Sequence, residues 1–90
     1  MKRIENQTAT DIFRQIVSSH FIKDYTVIIT GRTGPTGKTT LCKLLNNAGV
    51  RAIEISESLN YHVDYLDMYE NDMIIDDENK IVLVVLNRLR

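Results

Sequence analysis

The sequence has little cysteine and no long apolar run, and both shortages limit where the protein can work. Its single cysteine, Cys42, cannot form a disulfide within the chain, which is typical of proteins from a reducing compartment. The longest apolar run, residues 81–86 (IVLVVL), is far shorter than the roughly 20 residues of a membrane-spanning helix. No signal-peptide pattern opens the chain. We therefore expect a cytoplasmic protein with no membrane partner.

The chain also lacks a dominant charge of one sign. Eleven Lys and Arg residues against twelve Asp and Glu residues give a formal net charge of −1. No basic cluster with interleaved aromatic residues is present, so a nucleic-acid partner is not expected. Hydrophobic residues make up 43% and charged residues 26%, a globular composition, and we expect residues 1–90 to form one small domain. The first half is basic and the second acidic, so the halves either neutralise each other or the acidic half serves a metal or a basic partner.

Glycine and proline are scarce, and their positions are informative. Three of the four glycines and the only proline fall within residues 31–37. An apolar, β-branched run precedes this stretch (YTVII, residues 25–29), and a helical pattern follows it (LCKLL, residues 41–45). A strand, a glycine loop and a helix that begins with Gly-Lys-Thr can wrap backbone N–H groups around a phosphate.

This segment resembles the phosphate-binding loop, or Walker A motif, of the P-loop NTPases and kinases, with the closest match over residues 25–56. The resemblance implies that ATP or GTP binds with Mg²⁺, that Lys38 reaches the β- and γ-phosphates, and that the Thr39 hydroxyl holds the metal. The expected nucleotide-binding residues are Gly34, Thr36, Gly37, Lys38, Thr39 and Thr40.

The loop departs from the family spacing. In the pattern G-x-x-x-x-G-K-[ST], the first glycine falls at Arg32, while Gly31 lies one residue too early and Gly34 two residues too late. The chain therefore has one extra residue between its last two loop glycines. That residue either bulges without consequence or re-aims the N–H groups and closes the phosphate site.

The rest of the chain predicts a small α/β fold. A helix is expected over residues 10–22 with Thr10 as N-cap, and residues 1–9 are expected to be frayed. A helix over 38–47, stopped by Gly49, links strands 25–30 and 50–56, so these strands should be parallel. A further helix is expected over 57–70. Strands 73–75 and 81–86 are separated by five residues, which predicts an antiparallel hairpin in a four-stranded sheet.

A second segment, residues 73–78 (MIIDDE), resembles a Walker B motif. By that resemblance Asp76 would share Mg²⁺ with Thr39, and Asp77 or Glu78 would orient the attacking water as catalytic residues. The shared site requires that strand 73–75 run parallel to strand 25–29, so that the acids emerge beside the loop. The alternative interpretation is a polar hairpin turn. Glu54 and Glu57, after the next strand, are other candidate acids at the loop edge.

Two functions follow from these patterns. The first is a module that binds a nucleotide through its phosphates, with or without slow phosphohydrolase or kinase-like activity. The second is a non-enzymatic interaction protein of phage or mobile-element type, which keeps the scaffold and binds a host protein. A homodimer that covers the sheet edges is compatible with either. The sequence does not decide whether the protein is an enzyme.

Overall fold

A computed structural model describes residues 2–5, 7–20, 22–32, 34–55 and 70–89, and it shows an α/β protein. Two helices pack on a mixed five-stranded sheet, as the sequence predicts for the fold class. The strands are β1 (Lys2–Glu5), β2 (Thr26–Gly31), β3 (Ala52–Glu54), β4 (Asp72–Asp76) and β5 (Ile81–Leu86). The α-helices are α1 (Ala9–Val17) and α2 (Lys38–Asn47), and a 3₁₀ turn covers Ile22–Asp24.

The sheet has the order β1-β4-β5-β2-β3, with the most apolar strand at its centre. β2 pairs in parallel with β3, across α2, and also with β5. β4 and β5 form the predicted antiparallel hairpin. Five of the six β5 residues are buried, because the strand has a neighbour on each side and a covered surface on each face.

Both helices lie on one face of the sheet, where the larger hydrophobic core forms. Ile12 and Ile16 from α1 and Leu41 and Leu45 from α2 pack against alternate residues of β2 and β5. These side chains are at most 2% exposed, and burying one such side chain contributes about 1.5–3 kcal/mol. The core fixes the angle at which α2 leaves the sheet and therefore the position of the loop before it.

The beginning of the chain differs from the sequence prediction. Residues 2–5, expected to be frayed, form β1 and pair antiparallel with β4, and the Arg3 guanidinium donates to the Asp72 carboxylate at 2.9 Å. α1 begins after Thr8 instead of Thr10, because the Thr8 hydroxyl oxygen accepts the Asp11 N–H at 3.1 Å and caps the helix.

The remaining elements agree with their predicted types, and some are shorter. α2 has the predicted bounds of 38 and 47, and Gly49 has a positive φ of 84°, as expected of a helix stop. β3 covers three residues of the predicted strand 50–56. The helix predicted over 57–70 lies outside the described residues except for Glu70.

Candidate functional site

The glycine loop between β2 and α2 contains three glycines with left-handed backbone conformations. Gly31, Gly34 and Gly37 have φ values of 138°, 104° and 93°. These conformations strongly favour glycine. At Gly31 a Cβ atom would lie 2.2 Å from the Leu86 carbonyl oxygen, so this position also has no room for a side chain. The start of the loop is thus pressed against the end of β5.

Hydrogen bonds then clamp the first loop residue to the segment after β5. The Arg32 N–H donates to the Leu86 carbonyl oxygen and to the Asn87 side-chain oxygen, both at 3.2 Å. Asn87 is 1% exposed, and its own N–H donates to Asn71 Oδ1 at 2.9 Å. Sequence analysis missed both asparagines. For Asn87 the available signal was a polar residue directly after a fully apolar strand, where a buried amide needs hydrogen-bond partners.

The first turn of α2 presents free backbone donors to the cavity beside the loop. Gly37 is the N-cap and has no side chain with which to cap the helix. The turn contains no acidic residue, and within the described segments no acceptor lies on the N–H groups of Lys38, Thr39 and Thr40. Unpaired N–H groups and the positive end of the helix dipole make such a turn attractive to anions.

The Lys38 side chain folds back over the loop. Its Nζ donates to the Arg32 carbonyl oxygen and to Thr36 Oγ1, the latter at 3.3 Å. Thr36 is 2% exposed, and its hydroxyl is 3.4 Å from the Arg32 carbonyl oxygen. The ammonium therefore lies across the loop, at hydrogen-bonding distance from groups that have no negative charge.

A carboxylate reaches the same cavity from β3. Thr39 Oγ1 is 2.9 Å from one carboxylate oxygen of Glu54 and 3.1 Å from the other. Glu54 is the last residue of β3, which runs parallel to β2 and so ends at the same edge of the sheet. The cavity has a volume of about 280 Å³ and is lined by Gly34, Pro35, Gly37, Lys38, Thr39, Thr40 and Glu54.

The structure does not bring Asp76, Asp77 and Glu78 to this cavity, so it does not assemble the predicted metal site of Asp76 and Thr39. β4 is antiparallel to β5, β5 is parallel to β2, and β4 thus runs opposite to the loop strand. In register, Asp76 pairs with Ile81, which pairs with Thr26 at the beginning of β2. The acids therefore follow β4 near the beginning of β2, whereas the loop follows the end of β2.

Near the beginning of β2, Asp76 and Asp77 have structural partners. The Asp76 carboxylate accepts the Asn79 N–H at 3.1 Å and the Asn79 side-chain amide at 2.9 Å, and these bonds hold its pKa below the ordinary value. The Tyr25 hydroxyl donates to Asp77 Oδ1 at 2.5 Å. This bond, with burial, raises the pKa of Tyr25 to about 12. The polar-turn interpretation of this segment agrees with these contacts.

Comparison of the chain with protein-family models, curated proteins and solved structures finds no match. Within the described residues, no helix is long and apolar enough to cross a membrane. The same part of the chain holds no group of three or more His, Cys, Asp and Glu side chains placed to bind a metal ion. A metal at the loop would need further oxygen ligands, as a nucleotide phosphate supplies.

Proposed function

We propose that the protein binds a nucleotide, ATP or GTP, through its phosphate groups at the cavity between the glycine loop and α2. The observation that carries the proposal is the convergence of a side-chain ammonium, first-turn N–H groups with no acceptor among the described residues, and a loop that contains three glycines of positive φ. Each of these features favours an anion, and together they match the chemistry of a phosphate chain.

The size of the cavity favours the phosphates over the whole nucleotide. Pockets that enclose a small molecule usually measure about 300–1,000 Å³. The cavity of about 280 Å³ accepts a short phosphate chain and leaves the base and sugar at the surface. We therefore expect weak discrimination between ATP and GTP.

Lys38 is the residue on which affinity should depend most. Its ammonium now contacts a carbonyl oxygen and a hydroxyl oxygen. Phosphate oxygens carry negative charge, so exchanging these neutral acceptors for them adds a direct attraction between opposite charges to hydrogen bonds that Lys38 already makes. The exchange also releases Thr36 and the Arg32 carbonyl, so the loop itself should rearrange on binding.

The donor set beside Lys38 fits a magnesium ion. A hydroxyl and a carboxylate, the oxygen ligands that Mg²⁺ prefers, lie within 2.9 Å of each other at Thr39 and Glu54. Glu54 would otherwise repel a phosphate in the same cavity, and a bound Mg²⁺ would offset that repulsion by neutralising charge between them. Glu54, instead of Asp76, is therefore the acid that we propose for the metal.

We propose nucleotide binding and do not propose phosphohydrolase or kinase-like activity. Asp77 and Glu78, which sequence analysis assigned to orienting water, follow β4 at the other edge of the sheet. Among the described residues, Glu54 is the carboxylate that lines the cavity, and we assign it to the metal instead of to a general base. Glu57, the other candidate acid after β3, lies outside the described residues.

Calorimetric titration with ATP and with GTP, in the presence of Mg²⁺, tests the proposal. We compare the wild type with Lys38→Ala and with Lys43→Ala, which removes an exposed lysine from the same helix and lies outside the cavity. We expect Lys38→Ala to weaken binding at least tenfold, about 1.4 kcal/mol, and Lys43→Ala to leave it within twofold. Equal affinity in wild type and Lys38→Ala would overturn the proposal.

One observation favours the alternative function, a protein-binding scaffold. Lys38 is satisfied by the loop's own atoms, and Arg32 is exposed where the phosphate-loop pattern has its first glycine. If the extra loop residue fixes this self-contained arrangement, no heat of binding should appear even at millimolar nucleotide. A specific protein captured from host lysate, and lost from an Arg32→Ala bait, would then support the alternative.

A further inference from the structure

A second cavity also borders the glycine loop and is otherwise built from different elements. It measures about 230 Å³ and is bordered by the N-terminus of α1, the residue before β4 and the segment after β5. The loop contributes Thr36, whose neighbours Pro35 and Gly37 line the first cavity. The described residues that line it, none of them acidic, are Thr8, Ala9, Thr10, Thr36, Asn71, Arg88 and Leu89.

Backbone donors enter this cavity from α1, a helix of nine residues. Thr8 caps the helix by accepting the Asp11 N–H, and the Thr8 carbonyl accepts the Ile12 N–H at 3.0 Å. The N–H groups of Ala9 and Thr10 have no acceptor among the residues that the structure describes. They belong to residues that line the cavity.

Asn71 supplies an independent sign that the cavity receives a ligand. Its side chain is nearly buried, and its residue exposure is 4%. Two backbone N–H groups, from Asn87 at 2.9 Å and Arg88 at 3.0 Å, point at the side-chain oxygen, and they fix which end of the amide is nitrogen. Nδ2 then has no acceptor in the described part of the chain, although Asn71 lines the cavity. Nδ2 is therefore a donor that a ligand in the cavity can use.

Arg88 adds a positive charge at the rim. One guanidinium nitrogen pairs with Glu70 Oε2 at 2.7 Å, and just over half of the Arg88 side chain is exposed. A guanidinium carries five N–H donors, so the Glu70 contact leaves others for a second acceptor. Glu70 lies outside the lining and moderates the charge without entering the cavity.

We propose that this second cavity is a binding site for a small oxyanion, a carboxylate or a phosphate group. Its donors are backbone N–H groups, an amide nitrogen and a guanidinium, and none of the described residues that line it carries a carboxylate. The Asp11 carboxylate, which accepts the Thr8 hydroxyl at 2.7 Å, lies outside this lining. The first cavity differs because Glu54 lines it and a metal must offset that charge. The volume of about 230 Å³ suits the anionic end of a small molecule instead of a whole nucleotide.

The proposal does not depend on nucleotide binding at the loop, and NMR titration distinguishes the two sites. The full chain, labelled with ¹⁵N, is titrated with inorganic phosphate and separately with acetate. We expect saturable shifts of the Ala9 and Thr10 backbone amides and of the Asn71 side-chain amide. These shifts should persist in Lys38→Ala, which removes the ammonium of the first cavity, because none of the three groups belongs to that cavity. A response to phosphate alone, or to acetate alone, would support the site and identify its preferred oxyanion.

Two variants of opposite expected sign make the site falsifiable. Arg88→Gln should weaken the response at least fivefold, whereas Glu70→Gln should strengthen it about twofold by freeing the guanidinium. Arg14→Gln, an exposed arginine in the last turn of α1, is the matched control and should change nothing. The proposal is overturned if neither anion shifts these three resonances, or if Arg88→Gln and Arg14→Gln respond with the same affinity as the wild type.

Discussion

The polar residues at the two opposite ends of the strands in the sheet have different partners. At one end, after β2 and β3, the glycine loop, Lys38 and the Thr39–Glu54 pair surround a cavity. At the other end, after β4, Asp76 and Asp77 are bonded to Asn79 and Tyr25. In each case the polar residues follow an apolar strand. In sequence, the loop segment resembles a Walker A motif and the segment at residues 73–78 resembles a Walker B motif.

The difference shows that strand direction decides which charged residues can meet. A carboxylate after an apolar strand reaches the loop only if its strand runs parallel to β2, as β3 does for Glu54. β4 runs the other way, so its acids stabilise the hairpin turn. Four experiments, from the largest expected effect to the smallest, test this contrast.

Gly31→Ala should damage the loop end most. The new Cβ would lie 2.2 Å from the Leu86 carbonyl oxygen in a backbone conformation with φ of 138°. We expect a loss of roughly 3 kcal/mol or more in the free energy of unfolding, measured by urea denaturation. Gly49→Ala is the control, because it also has a positive φ but no atom within 4 Å. It should cost about 1 kcal/mol. Equal losses in the two variants would contradict the close contact.

Thr39→Val and Glu54→Gln should reduce the benefit of Mg²⁺ to nucleotide affinity. We expect the ratio of ATP affinities with and without Mg²⁺ to fall about tenfold, or about 1.4 kcal/mol, in each. Glu54→Gln should also strengthen Mg²⁺-free binding, since it removes a negative charge from the cavity. Asp76→Asn is the control at the opposite edge and should leave the ratio unchanged. A reduced ratio in Asp76→Asn alone would restore the Walker B interpretation.

The Tyr25–Asp77 hydrogen bond should make the stability of the folded state decrease at high pH. The pKa of Tyr25 is raised to about 12 from 10.0, so the folded state keeps its phenol proton where the unfolded chain has lost it. The bond's contribution is complete below pH 10 and is lost as the pH rises toward 12. Absorbance titration of phenolate should show that Asp77→Asn lowers this pKa, while Glu78→Gln does not. An unchanged Tyr25 titration in Asp77→Asn would argue against the bond.

The Asp76–Asn79 turn should contribute a small stability that disappears in acid. The Asn79 side-chain amide and backbone N–H lower the pKa of Asp76 below 3.8, so the contribution is present above pH 3.8 and is lost as the pH falls through the folded-state pKa. Thermal midpoints across the acid range should show a shallower decline in Asp76→Asn than in the wild type. Parallel declines would mean that the turn does not depend on this carboxylate.

Local patterns were sufficient to predict α2, the loop, the β2–β3 pair and the β4–β5 hairpin. Each depends on residues close in sequence, such as Gly49 after α2 or the short turn between the last two strands. β1 was missed, because Lys2–Glu5 alternate poorly in hydrophobicity and depend on pairing with the distant β4, where Arg3 meets Asp72.

The candidate site was predictable on the loop side and unpredictable on the acid side. A hairpin sets β4 and β5 in opposite directions, but the sequence does not say which of them joins β2. The structure places β5 there, and its apolar residues suit a centre covered on both faces. That single choice moves Asp76 and Asp77 away from the loop and leaves Glu54 as the acid beside it among the described residues.

The central seam between β2 and β5 has a consequence for how the chain folds. The unit β2-α2-β3 and the hairpin β4–β5 each close short loops, whereas the seam that joins them pairs Thr26 with Ile81 across most of the chain. Closing so long a loop costs entropy before any contact repays it, and parallel pairing of distant segments is slow. We expect the two units to gain structure early and their docking to limit the folding rate. The clamp that joins Arg32 to Leu86 and Asn87 would then form only in that last step.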